Sequence, residues 1–352
     1  MNSCLVIFCA LWGTAVGNPN SDGTGGLPEQ ITFQVFVAYD DIFQANFSNQ
    51  TLGTQYAAVF FNAINVIFAM MTNPRIKFEV SRLYAEEAGF TPALTLVDNE
   101  VDFNASLGSI AKFVSTRPEM NSSDIVFVFC GRKVFTKDSH GKKLYSPQGI
   151  TWEGGICNDE KKVVLINDIA SIFYALPYAG FQLGRLLGAP ASCTPYFSRL
   201  GGRSHLFYPS NCTMHNIRNF LGELQRKNIS QARECFREKY NTSVSSNFYT
   251  VLPGKIANED GYCKKVGELR KEPRNRGLCS RLTTRRVYEW PELKNVTHSR
   301  KKPCIFDCCS ISDNEQQFIF HTNLAFDGKP CGEKGDGKIC FYGVCIDTKR
   351  TG

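Results

Sequence analysis

The first two-thirds of the chain alternates short apolar runs with stretches of helical periodicity. ITFQVFVAYDD (residues 31–41) has the β-branched and aromatic content of an edge or buried strand. TLGTQYAAVFFNAINVIFAMMTN (residues 51–73) carries apolar residues at helical spacing and stops before Pro74, which predicts a helix. RIKFEVSRLYAEE (residues 75–87) predicts a second strand, and DIVFVFCG (residues 124–131) predicts a short buried strand followed by a turn.

The same alternation continues to about residue 245. ITWEGGICNDEKKVVLIND (residues 150–168) predicts a glycine-broken strand or loop that leads into another strand. FQLGRLLGAP (residues 181–190) has helical spacing with Gly188 near the C-terminus of the helix. HNIRNFLGELQRKNISQARECFREKY (residues 215–240) predicts a last helix. Mixed strands and helices of this kind indicate one α/β domain over roughly residues 28–245.

The two ends of the chain differ from this domain. From residue 250 to residue 352 the periodicity fades and Cys and Gly become frequent, which predicts a small second module held by disulfides. Residues 1–17 form an apolar run that ends in small residues, as in a signal peptide, and residues 18–27 form a polar arm. No later apolar run is long enough to span a bilayer. We therefore expect a secreted, soluble protein.

Sequons and cysteines agree with a secretory route. Eight Asn-x-Ser/Thr sequons suit a glycoprotein, and the candidates for glycosylation are Asn46, Asn49, Asn104, Asn121, Asn211, Asn228, Asn241 and Asn295. Of the fifteen cysteines, Cys4 and Cys9 lie in the predicted signal peptide, and thirteen remain for a disulfide framework. Thirteen is odd, so one thiol is free, buried or paired with another chain, and the connectivity stays open. The disulfide candidates are Cys130, Cys157, Cys193, Cys212, Cys235, Cys263, Cys279, Cys304, Cys308, Cys309, Cys331, Cys340 and Cys345.

The net charge of +7 has a local origin. Basic residues cluster between Lys255 and Lys302, and the patch that we single out consists of Arg285, Arg286, Arg300, Lys301 and Lys302. Two interpretations stay open: a solvated basic face, or a site for acidic partners such as sulfated glycans and anionic proteins. The secretory features and the lack of a nucleic-acid-binding motif argue against nucleic acid as a partner.

The helix that contains FQLGRLLGAP has the spacing of a zinc-protease helix. In the signature H-E-x-x-H, two His one turn apart bind zinc, and the Glu acts as general base on the metal-bound water. A longer form adds x-x-G-x-x-H, whose last His completes the ligand set. Here Phe181 and Arg185 take the first two His positions, and Gln182 takes that of the Glu. Gly188 keeps the turn glycine, and Ala191 stands at the third His position.

The surrounding residues resemble the reprolysin/adamalysin family of metzincin metalloproteases. GGIC (residues 154–157), the strand VVLIND and the helix with LLGAP follow one another as in that family. Leu206, Phe207 and Tyr208 stand where the family's Met-turn has its Met. In this resemblance Cys130, Cys157 and Cys193 take positions at which family disulfides are expected, and the fold is a metzincin-like mixed sheet with packed helices.

The C-terminal module carries two further motifs. VLPGKIANEDGYC (residues 251–263) resembles the opening of the ADAMTS-like, disintegrin-type Cys-rich module of secreted members. LAFDGKPCGEKGDGKICFYGVCID (residues 324–347) resembles the end of that module. The short architecture looks most like secreted salivary reprolysin-like proteins of blood-feeding arthropods such as ticks.

The substitutions on this helix argue against zinc chemistry. Phe181 offers no lone pair, Gln182 does not accept a proton near neutral pH, and Arg185 keeps its positive charge. None of the five His residues lies four positions from another; they are His140, His205, His215, His298 and His321. Cys304 with the Cys308–Cys309 pair has some likeness to a metal knuckle, and disulfides are the more frequent outcome in this compartment. We therefore expect no cofactor.

These features lead to a hypothesis with two alternatives. The first is a secreted pseudoprotease that binds host extracellular proteins or glycans without cutting them. The second is an active zinc metalloendopeptidase that degrades extracellular matrix or haemostatic proteins, with zinc as its cofactor. The third is a structural or immune-decoy glycoprotein without a single partner.

Overall fold

The computed structural model describes residues 26–84, 90–145, 149–170, 172–193, 196–197, 207–227, 234–236, 251–273, 275–279, 304–312, 318–333, 336–341 and 343–347. The predicted signal peptide, nearly all of the N-terminal arm and the five residues of the predicted basic patch lie outside them, as do Asn228, Asn241, Asn295, His205, His298 and Leu206. The chain divides into two compact units. One comprises residues 23–197 and 207–250, and the other comprises residues 1–22, 198–206 and 251–352.

The first unit is built on strands and helices that follow the apolar runs of the sequence. Its strands are β1 (Gln30–Tyr39), β2 (Arg75–Leu83), β3 (Leu96–Val97), β4 (Glu100–Asp102), β5 (Ile125–Cys130), β6 (Val134–Lys137), β7 (Lys143–Leu144), β8 (Gly149–Thr151), β9 (Val163–Asn167), β10 (Tyr196–Phe197) and β11 (Phe207–Tyr208). Its helices are α1 (Asp41–Gln44), α2 (Gln50–Phe68), α3 (Phe103–Ser115), α4 (Pro118–Asn121), α5 (Leu176–Leu186) and α6 (Asn211–Lys227).

The main sheet has five strands in the order β2-β1-β5-β9-β8. The first four strands are parallel, and the short edge strand β8 runs antiparallel to β9. β1, for which the sequence left edge and buried positions open, lies inside the sheet between β2 and β5. A smaller sheet has the order β3-β4-β6-β7, and β10 pairs with β11.

Helices cover both faces of the main sheet. On one face, Phe103, Leu107 and Ile110 of α3 join a buried cluster with alternate residues of β1, β5 and β9. On the other face, the Phe60 ring of α2 packs against Phe127 and Phe129 of β5. The alternation of side chains along each inner strand sends successive residues to these two cores, so β1, β5 and β9 are largely apolar on both faces. The predicted mixed α/β fold is confirmed.

Helix α2 shows how local sequence sets an element's bounds. The Asn49 side chain accepts a hydrogen bond from the Leu52 N–H and caps the N-terminus of the helix. The helix ends at Phe68, five residues earlier than the predicted end at residue 73. Thr72 already pairs with Arg75 at the entrance to β2, and the residue before Pro74 is sterically biased away from helical geometry. No helix in the described ranges has the length and apolar character needed to cross a membrane.

The second unit is a small β-rich module around disulfides. A three-stranded antiparallel sheet joins β12 (Asn275–Leu278), β13 (Ile305–Ile311) and β14 (Phe318–Leu324), and β15 (Lys338–Phe341) forms a hairpin with β16 (Val344–Asp347). Helix α7 (Glu259–Leu269) precedes the sheet. Four disulfides lie here: Cys263–Cys308, Cys279–Cys309, Cys304–Cys340 and Cys331–Cys345. The predicted disulfide-rich C-terminal module is therefore present.

Two more disulfides lie in the first unit, and they leave one predicted cysteine unpaired. Cys157 pairs with Cys235, and Cys193 pairs with Cys212. Cys130 is a buried free thiol at the end of β5, so the expectation that it forms a disulfide is wrong. Its Sγ donates to Asp40 Oδ2 at 3.3 Å. Burial raises the pKa of the Cys130 thiol well above its ordinary value, which keeps it protonated and unreactive.

Candidate functional site: helix α5 and edge strand β8

The helix of the zinc-protease spacing ends in a glycine-dependent turn. Gly188 has φ +95°, and its N–H bonds to the Arg185 carbonyl at 2.9 Å. The Ala189 N–H bonds to the Gly184 carbonyl at 3.0 Å. This pair of bonds is the Schellman motif, which favours glycine at the first residue past the helix. The prediction that Gly188 lies near the helix C-terminus is confirmed at the level of backbone geometry.

Gly188 also makes room for an aromatic ring from the following helix. A Cβ at Gly188 would lie 2.5 Å from Cβ of Phe220, and one at Gly154 would lie 2.9 Å from Cε2 of the same ring. Both glycines have positive φ. The Phe220 side chain of α6 therefore packs on the surface formed by two glycines, one from the GGIC element and one from the end of α5.

Most of α5 is buried, and one stripe along it is open. Ala179, Leu183 and Leu186 are among its fully buried residues. Phe181 and Arg185, four residues apart, lie on one helical face and are half-buried. Ala191 lies beyond the helix in an exposed turn. The structure thus places the first two presumed ligand positions on a common open stripe, which we call the α5 stripe.

Gln182 does not belong to this stripe. It is 7% exposed, and its Nε2 donates to the Gly149 carbonyl of β8 at 2.9 Å. Gly149 admits no side chain, because an added Cβ would lie 3.0 Å from Gln182 Cγ and would clash with the Ile166 side chain. The residue at the general-base position therefore holds the edge strand against the helix. Its Oε1 is buried and has no hydrogen-bond partner among the described residues.

The backbone carbonyl of Arg185 is hydrogen-bonded, whereas its side chain makes only a long ion pair among the described residues. Its carbonyl accepts a hydrogen bond from Gly154 N–H at 2.9 Å. Among the described residues, the guanidinium pairs with the carboxylate of Glu153, whose Oε2 lies 3.8 Å from Nη2 and so beyond hydrogen-bonding distance. Arg185 Nε is buried without an acceptor in the described part of the chain. The guanidinium therefore keeps donors that this structure leaves unused.

The two edges of the main sheet differ in charge. β2 at one edge carries Arg75, Lys77, Glu79 and Arg82, and charged residues of this kind discourage pairing with another strand. β8 at the other edge reads Gly149-Ile150-Thr151 and has no charge. Ile150 packs against the core on the α3 side. Of the two edges of the main sheet, β8 is thus the uncharged one.

The residues on the α5 stripe do not fit a zinc ion. Zinc in proteins takes Cys, His or carboxylate ligands, and Phe181, Arg185 and Ala191 supply none of these groups. His140 and His215 are exposed, and His215 contacts Asn219 at 2.8 Å on its own helix. His321 lies in the second unit and contacts Glu272 at 2.8 Å. Among the described residues, the sulfur atoms of Cys304, Cys331 and Cys345 lie close enough together for a metal site. All three are in disulfides, however, and offer no thiolate ligand.

A buried carboxyl group that the sequence reading missed organises the approach to α5. Asp168 accepts a hydrogen bond from the Tyr56 hydroxyl at 2.5 Å and one from the Ala175 N–H at 2.8 Å. Burial raises the pKa of Asp168 to about 6. The signal that could have found it is its place directly after the apolar strand VVLIN, at the carboxyl end of a parallel strand, where polar residues of α/β sheets gather.

A second polar cluster lies at the end of the main sheet where the parallel strands β1 and β5 have their carboxyl termini. Arg132 is 9% exposed, and its Nη2 donates to both carboxylate oxygens of Asp41 at 2.7 and 2.6 Å. Asp40 accepts from the Gly131 and Phe43 N–H groups at 2.9 and 2.8 Å. Burial raises the pKa of Asp40. These hydrogen bonds fix the loop after β5 to the start of α1, while Arg132 Nε is buried without a hydrogen-bond partner among the described residues.

The described sequons differ in exposure. Asn46, Asn49, Asn104 and Asn211 are exposed, and Asn121 is half-buried. The Asn121 carbonyl accepts a hydrogen bond from the Lys162 amine. The four exposed sites therefore have room for a glycan on the folded protein.

The chain was compared with known proteins. No protein-family model matches it, and no curated protein matches it. A solved structure described as a chaperone-substrate complex aligns at 12% identity with a TM-score of 0.39, covering 59% of this chain and 36% of that one. The crystal structure of metalloproteinase-II from Bacteroides fragilis aligns at 13% identity with a TM-score of 0.35, covering 55% of this chain and 56% of that one. The chain thus spans about a third and just over half of the length of these two neighbours.

Proposed function

We propose that this chain is a secreted pseudoprotease of the reprolysin type, which acts by binding host extracellular proteins or glycans. The observation that carries the proposal is the α5 stripe, where Phe181 and Arg185 replace metal ligands. Gln182 at the general-base position is engaged with Gly149. Six disulfides in the described part of the chain support an oxidising, extracellular setting.

The binding element that we propose is the free edge of β8. An extended peptide can add to an exposed sheet edge as a further strand, with main-chain hydrogen bonds giving affinity. β8 suits this role because it lacks the charges that occupy the opposite edge of the sheet. Gln182 holds the strand in place, so the edge does not have to be ordered when a peptide binds.

A zinc and activity measurement tests the loss of catalysis. The purified glycoprotein is analysed for metal by mass spectrometry and incubated with fluorogenic casein and gelatin, with and without a chelator. We expect no stoichiometric zinc and no chelator-sensitive cleavage. One zinc per chain together with cleavage that the chelator abolishes would establish the metalloendopeptidase alternative instead.

Peptides with blocked backbones test strand addition separately. An octapeptide that binds the protein is compared with the same sequence methylated at alternate amide nitrogens, in both alternating patterns. Methylation removes the N–H groups that would pair with a sheet edge, so one pattern is expected to lose binding and the other to keep it. Equal binding of both patterns would refute β8 as the site.

The predicted basic patch gives the glycan part of the proposal. Arg285 and Arg286 would supply charge for sulfated glycans or anionic proteins. Capture from host plasma by wild type and by the Arg285→Glu/Arg286→Glu variant tests this part. Recovery of the same partners by both proteins would show that the patch has no role.

A further inference from the structure

We propose that the peptide bound at β8 carries a carboxylate side chain, and that Arg185 is the residue that selects it. This inference rests on the proposed function, because it names the chemistry of the segment that adds to β8. It concerns a position where the general zinc-protease pattern has a metal ligand and this chain has a cation.

Hydrogen bonds between the β8 segment and α5 fix the position of Arg185 relative to β8. The segment that begins with β8 is attached to α5 at successive points: Gly149 to Gln182, and Gly154 to the Arg185 carbonyl, at 2.9 Å each. A third bond joins Ile156 N–H to the Leu186 carbonyl at 3.2 Å. Arg185 therefore lies where the chain leaving β8 returns to the helix, at the C-terminal end of the edge strand.

The Arg185 side chain is partly exposed and is not hydrogen-bonded to a carboxylate among the described residues. The side chain is 25% exposed, so solvent and ligands reach part of it. Glu153 at 3.8 Å offsets some of its charge without accepting a hydrogen bond. A guanidinium presents its donors in a planar fork that matches a carboxylate in bidentate geometry. Because Arg185 Nε is buried, a partner carboxylate would bind the exposed part of the guanidinium, its two Nη groups, which make no hydrogen bond to a described carboxylate.

Arg185 differs from other cations of the first unit. Lys133 and Lys143 are already bound to Glu100 at 2.5 and 3.0 Å. Lys162 is bound to Asp159 at 2.8 Å. Of these four cations, Arg185 is the one whose charge is not matched by a hydrogen-bonded carboxylate. The neighbouring Phe181 ring on the α5 stripe adds an apolar surface beside it.

These steps define the expected ligand as an extended segment with Asp or Glu and an adjacent apolar residue. The probe is a positional-scanning library of octapeptides, acetylated and amidated so that no terminal charge contributes, on immobilised full-length protein. We expect Asp and Glu at one position to increase binding about 10- to 100-fold over Asn and Gln, the range for a hydrogen bond to a charged group.

Three variants assign this preference. Arg185→Gln is expected to abolish the acid preference, and Arg185→Lys is expected to keep part of it, because charge remains and the fork is lost. Arg82→Gln is the matched control: it removes the same charge from the opposite edge strand, where Arg82 is exposed, and should leave the preference unchanged. Circular dichroism and urea unfolding check that each variant folds.

The outcomes separate the two proposals. An acid preference that persists in Arg185→Gln, or no acid preference in wild type, overturns the inference. If such peptides still show the methylation pattern of strand addition, the proposed function stands without it. If no library peptide binds, both the acid preference and strand addition at β8 are refuted, while the zinc and activity measurement still decides the loss of catalysis.

Discussion

The glycine at the end of α5 gives the sharpest test of the structural reasoning. In Gly188→Ala, the new Cβ meets two separate penalties. A residue with a side chain at φ +95° costs about 1–2 kcal/mol. The Cβ would also lie 2.5 Å from Phe220 Cβ, and overpacking of this kind costs about 1–3 kcal/mol. The expected loss in the free energy of unfolding is therefore about 2–5 kcal/mol.

A double-mutant cycle separates the two penalties. In a Phe220→Gly background, which removes the Cβ together with the ring, the overpacking disappears, so Gly188→Ala should cost about 1–2 kcal/mol from backbone conformation alone. The coupling energy expected between the two positions is about 1–3 kcal/mol. Gly108→Ala is the control, because a Cβ there meets nothing within 4 Å. In the middle of α3 it should stabilise the protein by up to about 1 kcal/mol.

The assay uses a tryptophan close to the site. The chain has three tryptophans, Trp12, Trp152 and Trp290, and Trp152 directly follows β8. In a chain that starts at Asn18 and carries Trp290→Phe, urea unfolding followed by fluorescence reports on this region. Equal costs of Gly188→Ala with and without the Phe220 ring would refute the packing argument, and a total cost below about 1 kcal/mol would refute the backbone argument as well.

Three further predictions test other buried groups. The folded-state pKa of Asp168, about 6, lies above the unfolded 3.8, so the folded state binds more protons between these values and wild type loses stability as the pH rises through this window. At about 1.36 kcal/mol per pKa unit, the wild type should lose about 2–2.5 kcal/mol of stability relative to Asp168→Asn between pH 4 and pH 7, as measured by urea unfolding. Parallel pH profiles of the two proteins would contradict this. Gln182→Glu brings a carboxylate against the Gly149 carbonyl and should lower the free energy of unfolding by about 1–3 kcal/mol. It should also speed hydrogen exchange at residues 149–151 more than Gln182→Met does, and unchanged exchange would refute the attachment of β8 to α5. Cys130 should react with a thiol reagent only after denaturation, and rapid labelling of the native protein would contradict its burial.

The sequence predicted the architecture well where the signal is local. The apolar runs around residues 31–41 and 124–131 were predicted as strands, the first at an edge or buried and the second buried, and both are inner strands of the main sheet. The helix of residues 51–73 was predicted too long, because Pro74 and the pairing of Thr72 with Arg75 end it at Phe68. Periodicity marks an element's centre better than its end.

The sequence failed where the answer depends on distant partners. Cys130 was expected in a disulfide, but it lies among core residues and its thiol contacts Asp40, ninety positions away. Asp168 was not noticed, because its interest comes from Tyr56, 112 positions away. Neither partner leaves a mark on the residues next to these positions.

The chemical groups available on α5 follow from the amino-acid sequence alone. Phe181, Arg185 and Ala191 lack metal-ligating groups in any fold, because a side chain's donor and acceptor atoms are fixed by its covalent structure. How the side chains of α5 are used depends on the tertiary structure. Gln182 donates a hydrogen bond to the Gly149 carbonyl, and the Arg185 side chain is partly exposed. Burial and hydrogen-bond partners come from segments that the folded chain brings together, so they are properties of the packing and not of the local sequence.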